Sequence, residues 1–330
     1  MRNLLIALFL FTFFSCDNTF ELIEERKDIP VVYGIISPVD SAQYIRVERA
    51  FVDETISPIE LSQNPDLLYY DNDIVVKLVQ VSTEEEFVLD RVDGNLEGYV
   101  RQDGAFANSP NILYKKLNSK LNFVEGQEYR LEIERGDQLP TVTATTRLLK
   151  TPKINRPSSG GTIDFSYERE TAFQILGNET CFLYDISLIF YYRERDNNVA
   201  GSEFESKSLL WSVAKGIESP DADVSIRHEE TGINFYNFLV SNIEEGNFSR
   251  QFEFMDVIVE AGGEEILEYN SIGLANLGIT SSQEIPTYTN LSEGQGVFSS
   301  RTRVVTTGLQ LSPRSSDSLS NGIITGILNF

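Results

Sequence analysis

The sequence predicts a mainly β protein made of two β-sandwich-like domains, the N-terminal one immunoglobulin-like, with one or two short helices in the second. Three observations carry this prediction: runs in which apolar and polar residues alternate, turn-forming pairs between those runs, and an aromatic content of 11%. Alternation with a period of two is typical of a strand that buries one face. In the run Tyr44–Arg49, for example, Ile45 and Val47 point one way while Arg46 and Glu48 point the other.

The first predicted domain covers residues 29–149. Several strand-like runs and several turn-forming pairs fall within it, and roughly seven strands in about 120 residues is the size of an immunoglobulin-like sandwich. Glycine after an acidic residue favours a tight turn between strands. Besides Tyr44–Arg49, the runs are Ile74–Val79, Tyr129–Glu134 and Thr141–Thr146, and the pairs are Asp93-Gly94, Asp103-Gly104 and Glu125-Gly126.

Residues 150–162 interrupt this pattern and are predicted to be a linker. The segment contains two prolines, and the second one is followed by Ser158-Ser159-Gly160-Gly161. Clusters of proline, serine and glycine between periodic segments are typical of loops. The second β-rich domain is therefore expected over residues 163–330.

Long apolar strands and two helices are predicted in this second domain. Every second residue from Phe182 to Tyr192 is aromatic or aliphatic, and further strands are expected around Trp211 and Val257. Helical spacing of apolar residues predicts one helix at Phe235, Phe238, Leu239 and Ile243 and another at Ile266, Tyr269 and Leu274. The last residues, Ile323–Phe330, are expected to form a final strand.

The N-terminus predicts export and lipidation. Leu4–Phe14 is an apolar run of eleven residues broken only by Thr12. Such a helix is about 16 Å long, whereas a bilayer core of about 30 Å needs about twenty residues, so the run suits a signal peptide. Ser15 is small and directly precedes Cys16, which resembles the site read by lipoprotein signal peptidase. We therefore expect a signal peptide over residues 1–15, lipid on Cys16 and a polar tether over residues 16–28. The alternative is an ordinary secretory signal with an incidental cysteine.

The second cysteine has no partner within the chain once Cys16 carries lipid. Cys181 lies in an apolar, strand-like run and is interpreted as a small buried hydrophobic residue. A reactive thiol would need a base beside it, and His228, the single histidine, is far away in sequence. Folding could still bring the two side chains together.

The formal charge of −23 excludes some classes of partner. A phosphate backbone would be repelled, so nucleic-acid binding is not expected. Adhesion to anionic lipid through charge is not expected either. Contact with the membrane is therefore assigned to the N-terminal lipid.

No motif for catalysis, a cofactor or a metal is present in the sequence. Phosphate-cradling glycine loops, the G-x-S-x-G nucleophile motif and C-x-x-C are missing. Asp71-Asn72-Asp73 and Asp221-Ala222-Asp223 could contribute to calcium sites, but neither has full loop spacing, and acidic turns are the simpler interpretation. The protein is therefore predicted not to be an enzyme. The alternative, a hydrolase or binder of surface glycans that works through two carboxylates, stays open because acidic residues are numerous.

Four stretches of the chain together resemble a family of Bacteroidota lipoproteins that carry a domain of unknown function and are often encoded beside TonB-dependent receptors. The resemblance implies an outer-membrane lipoprotein, exposed at the cell surface, that acts as a binding or assembly accessory of a TonB-dependent receptor or another outer-membrane barrel. Asp17 and Glu21 also resemble the acidic surface-export signal of that phylum. The stretches are Cys16–Glu21, Val31–Ile36 with Tyr44–Phe51, Tyr129–Ile133 with Val142–Thr146, and Tyr288–Phe298.

Overall fold

The computed structural model describes residues 28–50, 57–136, 138–167, 169–219, 225–275 and 287–330. These residues form a mainly β protein, which confirms the predicted fold class. Strands and helices follow in chain order. The strands are β1 (Ile29–Ile36), β2 (Ala42–Ala50), β3 (Val75–Gln80), β4 (Glu85–Val88), β5 (Asp90–Asp93), β6 (Ile112–Leu117), β7 (Glu128–Glu134), β8 (Val142–Arg147), β9 (Lys153–Arg156), β10 (Thr162–Ile163), β11 (Glu170–Leu176), β12 (Leu183–Asp196), β13 (Glu205–Glu218), β14 (Ser225–Thr231), β15 (Phe248–Gly262) and β16 (Gln295–Leu311). The helices are α1 (Pro58–Ser62), α2 (Pro65–Leu68), α3 (Gly232–Asn242), α4 (Glu264–Ala275) and α5 (Pro313–Asn321).

The strands form three sheets. The largest has the order β13-β12-β15-β16-β1-β2-β6-β5, with β10 paired to β16 outside that path. A four-stranded sheet has the order β4-β3-β7-β8, and a three-stranded sheet has the order β14-β11-β9. None of the helices within the described ranges combines the length and the apolar character needed to cross a membrane.

The first hydrophobic core lies between the four-stranded sheet and the β1-β2-β6 part of the large sheet. Alternating residues of β7 face this core. Tyr129, Leu131 and Ile133 are fully buried while their neighbours are not. Val32 and Ile45 face the same core from the large sheet. Eight strands between residues 29 and 147 therefore form a sandwich, one more than the sequence predicted.

The second core is aromatic and lies between the long strands, α3 and the three-stranded sheet. The inward face predicted for residues 182–192 is confirmed, since Tyr184, Ile186, Leu188 and Phe190 of β12 are fully buried. Phe235 of α3 stacks on a neighbouring phenylalanine with ring centroids 4.2 Å apart. Stacked aromatic rings add to the stability that burial alone provides.

Both predicted helices of the second domain are present as α3 and α4. The hydroxyl of Thr231 accepts a hydrogen bond from the backbone N–H of Asn234 and so begins α3. The expected final strand over Ile323–Phe330 is wrong. Residues 323–325 form a turn and Gly326–Leu328 a short 3-10 helix, directly after α5, which has Ser312 as its N-cap and Pro313 in its first turn. Gly326 begins the 3-10 helix and Asn329 adopts a left-handed backbone with a φ of 58°, so these last residues do not form a continuous extended strand.

Strand β16 belongs to both halves of the molecule. Its first part pairs in parallel with β1, Val31 opposite Gln295, and its second part pairs antiparallel with β15, Val259 opposite Val304. The first core ends at Leu148 on the chain and the second begins at Leu149, although Leu291 and Phe298 return to the first. The segment predicted as a linker contains β9. The domain boundaries stay a prediction that limited proteolysis can test.

Candidate functional site

Cys16, the residue predicted to carry lipid, lies outside the described residues, as does nearly all of the predicted tether. Its lipidation therefore stays a prediction. Asp28 is the last tether residue in the predicted division and the first one that the structure describes. Its contacts fix where the last residue of the predicted tether lies on the folded protein.

Asp28 is held by a buried arginine and a tyrosine. The Tyr70 hydroxyl donates to Oδ1 of Asp28, and Nη1 of Arg135 lies 3.3 Å from the same oxygen. Arg135 also donates to Glu293 Oε2 at 3.0 Å and to the Pro140 carbonyl at 2.9 Å, and its side chain is only 1% exposed. A buried guanidinium with two carboxylate partners fixes the groups around it. The root of the predicted tether is thus a rigid point on the first sandwich.

A row of hydrogen-bonded polar side chains, the polar seam, joins residues 146–151 to β16. The Ser300 hydroxyl donates to the Arg147 carbonyl at 2.8 Å and accepts from the backbone N–H of Leu149 at 3.1 Å. Thr151 and Thr302 contact each other through their hydroxyl oxygens at 3.1 Å. Ser300 and Thr302 are almost fully buried. Buried polar groups require hydrogen-bond partners, and here these hydrogen bonds join residues 146–151 to β16 between the two cores.

Glu265, in the first turn of α4, places a carboxylate in the polar seam. Its Oε2 accepts hydrogen bonds from Ser299 Oγ at 2.7 Å and from Thr146 Oγ1 at 3.1 Å. Burial raises the pKa of the Glu265 carboxyl above its ordinary value, and the hydroxyl donors oppose that rise. A side chain on Gly263 would come within 3.0 Å of Glu265 Oε2, so the carboxylate is closely packed.

A cleft of about 210 Å³ opens beside Glu265. Its charged lining includes Glu128, Arg147, Glu179 and Glu264. Arg147 Nη2 lies 3.4 Å from Glu128 Oε1, and Glu179 pairs with Lys150. A carboxyl with a raised pKa can hold a proton for transfer, but the cleft is smaller than the roughly 300–1,000 Å³ of typical ligand pockets.

Glu265→Gln is expected to change how the free energy of unfolding depends on pH. Because the pKa of Glu265 is raised in the folded state, the folded protein binds this proton more tightly than the unfolded chain does. The stabilising contribution is complete below the unfolded pKa and is lost as the pH rises through the folded pKa. The wild type should therefore lose stability relative to the variant as the pH rises, in denaturation series across the acidic to neutral range. Glu268→Gln removes an exposed carboxylate from the same helix and is the matched control. Parallel pH profiles for wild type and Glu265→Gln would refute this assignment.

Cys181 and His228 lie among different neighbours, so the structure does not bring them together. The Cys181 thiol is buried, 3.4 Å from the Lys150 carbonyl, and burial raises the pKa of the thiol. This agrees with the expected buried, unreactive cysteine. His228 is on β14 opposite Phe173 of β11, and its nearest carboxylate oxygen, on Glu230, is 3.7 Å away.

Of the two acidic triplets, the structure describes only Asp71-Asn72-Asp73, and its contacts do not support a calcium site there. The carbonyl oxygen of the Asn72 side chain accepts a hydrogen bond from Arg91. Asp221-Ala222-Asp223 lies outside the described residues. In the part of the chain that the structure describes, no three His, Cys, Asp or Glu side chains are placed to hold a metal ion.

Two grooves flank α4, and sequence reasoning did not identify them. Their volumes are about 520 and 490 Å³, within the range of ligand pockets. Among the described side chains of α4 none is fully buried, so the helix stands above the sheet with a groove on each side. Tyr269 of α4 meets Tyr288 edge to face, with centroids 6.4 Å apart. We call these the α4 grooves. The first is lined mainly by Leu183, Asp185, Lys215, Leu267 and Tyr269, and the second by Phe182, Leu267, Glu268, Ile272 and Tyr288.

Comparisons with known proteins identify no family, because neither a family model nor a curated protein matches the chain. Among solved structures, the chain is similar at 10% identity to the C-terminal globular domain of an oligosaccharyltransferase from Pyrococcus abyssi, with a TM-score of 0.25 over 71% of this chain and 47% of that one. It is similar at 12% identity to the FN1–FN3 domains of chicken CNTN1, with a TM-score of 0.19 over 85% and 65% of the two chains. The chain thus spans about half of the first structure and somewhat under two thirds of the second. Neither structure is similar enough to provide a function for this protein.

Proposed function

We propose that this protein is a lipid-anchored binding protein of the bacterial outer membrane, exposed at the cell surface, that assists an outer-membrane transporter and catalyses no reaction itself. The pattern Leu4–Phe14, Ser15 and Cys16 supports the anchor. The resemblance to Bacteroidota lipoproteins supplies the class of partner, a TonB-dependent receptor or another outer-membrane barrel.

The observation that carries the binding role is the pair of α4 grooves. They combine apolar and aromatic walls, from Leu267, Tyr269 and Tyr288, with a few charged groups such as Asp185 and Lys215. Pockets of that composition are typical of binding sites, because apolar area supplies affinity and a few polar groups fix orientation. A partner that occupies them would cover the exposed faces of α4.

The predicted tether suits this role. Eleven residues separate Cys16 from Asp28, and they are mostly polar or charged. A flexible segment of that length reaches about 15–20 Å. The folded part would therefore stay beside the membrane while it contacts a neighbouring barrel.

The test is crosslinking in native membranes. A photo-reactive amino acid replaces Ser271, which lines both α4 grooves, and the matched control carries it at Ser82, an exposed serine in the turn between β3 and β4. We expect a covalent adduct with an outer-membrane barrel from position 271 and none from position 82. Recovery of the protein alone from both variants would contradict the proposal.

The alternative is a carboxylate-based hydrolase or binder of surface glycans. The raised pKa of Glu265 beside a cleft with further glutamates favours it. The hydroxyl donors Ser299 and Thr146, by contrast, give Glu265 a structural role in the polar seam. Turnover of a glycan that Glu265→Gln abolishes would establish the alternative and overturn the non-catalytic proposal.

A further inference from the structure

Five exposed apolar side chains lie in the loop between β5 and β6 and in the neighbouring α1. Leu96 is 87% exposed, Val100 64% and Ile59 67%, while Tyr99 and Phe106 are about half exposed. We call this set the loop patch. Exposed apolar residues that cluster in this way mark an interaction surface, whereas single ones need no explanation.

The loop patch is held in place by hydrogen bonds. The Asn111 side chain donates to the Tyr99 carbonyl at 2.7 Å. The Ser62 hydroxyl lies 2.9 Å from the Ile59 carbonyl and 2.5 Å from the Ala105 carbonyl, and so joins α1 to the loop. The exposed side chains therefore stand on a fixed backbone.

Sheet topology places one end of the loop that carries the patch near Asp28, while Tyr99 of the patch packs on Tyr44 further along β2, with ring centroids 4.5 Å apart. Ile29 at the start of β1 pairs with Ala50 at the end of β2, and β6 runs antiparallel to β2. The loop that enters β6 consequently starts at the end of the sheet where Asp28 lies. Arg101 of this loop binds Glu48, near that end of β2, at 2.6 Å.

Two charged groups of the loop are paired, while Glu60, next to Ile59, and Asp103 form no ion pair with the described residues. Glu97 forms an ion pair with Lys115, and Arg101 is bound to Glu48 and lies over the Phe106 ring at 5.1 Å. Bringing a paired charge to an apolar surface costs less desolvation free energy than bringing an isolated charge there. Glu97 and Arg101 can therefore approach lipid as paired charges, whereas Glu60 and Asp103 would have to stay at the lipid–water boundary.

We propose that the loop patch inserts into the lipid surface that carries the anchor. This inference rests on the proposed lipid at Cys16, because a tether reach of about 15–20 Å keeps the loop patch beside the membrane. Attachment through the tether makes insertion an intramolecular event, which favours it without added contacts. Protruding apolar side chains suit a fluid lipid surface, since lipid needs no complementary pocket, and tyrosine is favoured at the membrane interface.

The test uses the full-length, processed lipoprotein in vesicles of phosphatidylethanolamine and phosphatidylglycerol. Val100→Cys is labelled with an environment-sensitive fluorophore, while the native Cys181 is buried. The matched control is Ile323→Cys, a fully exposed apolar position in the other half of the chain. We expect a blue shift and quenching by spin-labelled lipid at position 100 and neither effect at position 323.

Three results would overturn the proposal, and they differ in what else they imply. If the protein floats with the vesicles but the fluorophore at position 100 shows no blue shift, the anchor is present and the loop patch does not contact lipid. If the protein does not float with the vesicles, it has no lipid anchor, and the insertion that depends on the anchor is refuted as well. A blue shift in native outer membranes that is missing in protein-free vesicles assigns the loop patch to a protein partner instead.

Discussion

Replacing Arg250 with alanine is expected to lower the free energy of unfolding by about 3–5 kcal/mol, the usual cost of breaking a buried ion pair. Arg250 Nε and Nη2 both lie 2.7 Å from Glu194 Oε2, and the arginine side chain is fully buried. Its remaining donors bind the Leu328 carbonyl at 2.5 Å and the Glu244 carbonyl at 2.7 Å. Alanine would leave a largely buried carboxylate and two carbonyls without their arginine donors, while the backbone hydrogen bond from Arg250 N–H to the Asn329 carbonyl would remain.

Chemical denaturation of wild type and variant measures this loss. Arg193→Ala is the matched control, because Arg193 precedes Glu194 on β12 but its side chain is 46% exposed. Its ion pair with Glu253, at 3.3 Å, lies at the surface. A surface pair of that kind contributes about 0–1 kcal/mol. Equal losses for the two alanine variants would show that burial of Arg250 does not have the energetic role assigned to it.

Gly296→Ala is expected to cost about 2–6 kcal/mol, from backbone strain of about 1–3 kcal/mol and a clash of about 1–3 kcal/mol. Gly296 has a φ of +120°, which L side chains rarely adopt. An added Cβ would lie 1.9 Å from the Val32 carbonyl oxygen. The parallel pairing of β1 with β16, which joins the two halves, therefore depends on glycine here.

The control lies on the same strand. Gly308 has a φ of +72°, but a Cβ there would meet no atom within 4 Å, so Gly308→Ala should cost only about 1 kcal/mol from the left-handed backbone. Denaturation gives the totals, and hydrogen exchange of β1 amides shows whether the pairing itself opens. Equal totals, with unchanged exchange in β1, would contradict the importance of the close approach at Gly296.

Local patterns explain which elements of the fold the sequence could predict. In β7, Tyr129, Leu131 and Ile133 are buried on one face because successive side chains of a pleated strand point to opposite faces. The same alternation around Phe190 identifies β12 as a strand of the aromatic core. Helix α5 was missed because it is rich in serine, which has modest helix propensity. The pairing of β1 with β16 joins distant parts of the chain, and no local pattern encodes such a contact.

The candidate site was less predictable than the fold. Ser299, Ser300 and Thr302 are buried only because β16 lies between the two cores, and their residue types alone suggest an exposed strand. The α4 grooves depend on how far the helix stands from the sheet, which spacing within the helix does not determine. The lipid on Cys16, by contrast, stays a prediction that rests on a linear pattern, the apolar run Leu4–Phe14 followed by Ser15.

The lipid at Cys16 is the central claim, and mass analysis of the mature N-terminus combined with fatty-acid labelling tests it most directly. We expect a mature protein that begins at Cys16, carries acyl chains and floats with outer membranes, and a Cys16→Ala variant that takes up no label and loses membrane attachment. Three acyl chains exceed the two signals that stable anchoring requires, so the loss of attachment should be close to complete. Undiminished labelling of Cys16→Ala, or a mature protein that begins elsewhere and carries no lipid, would contradict the account.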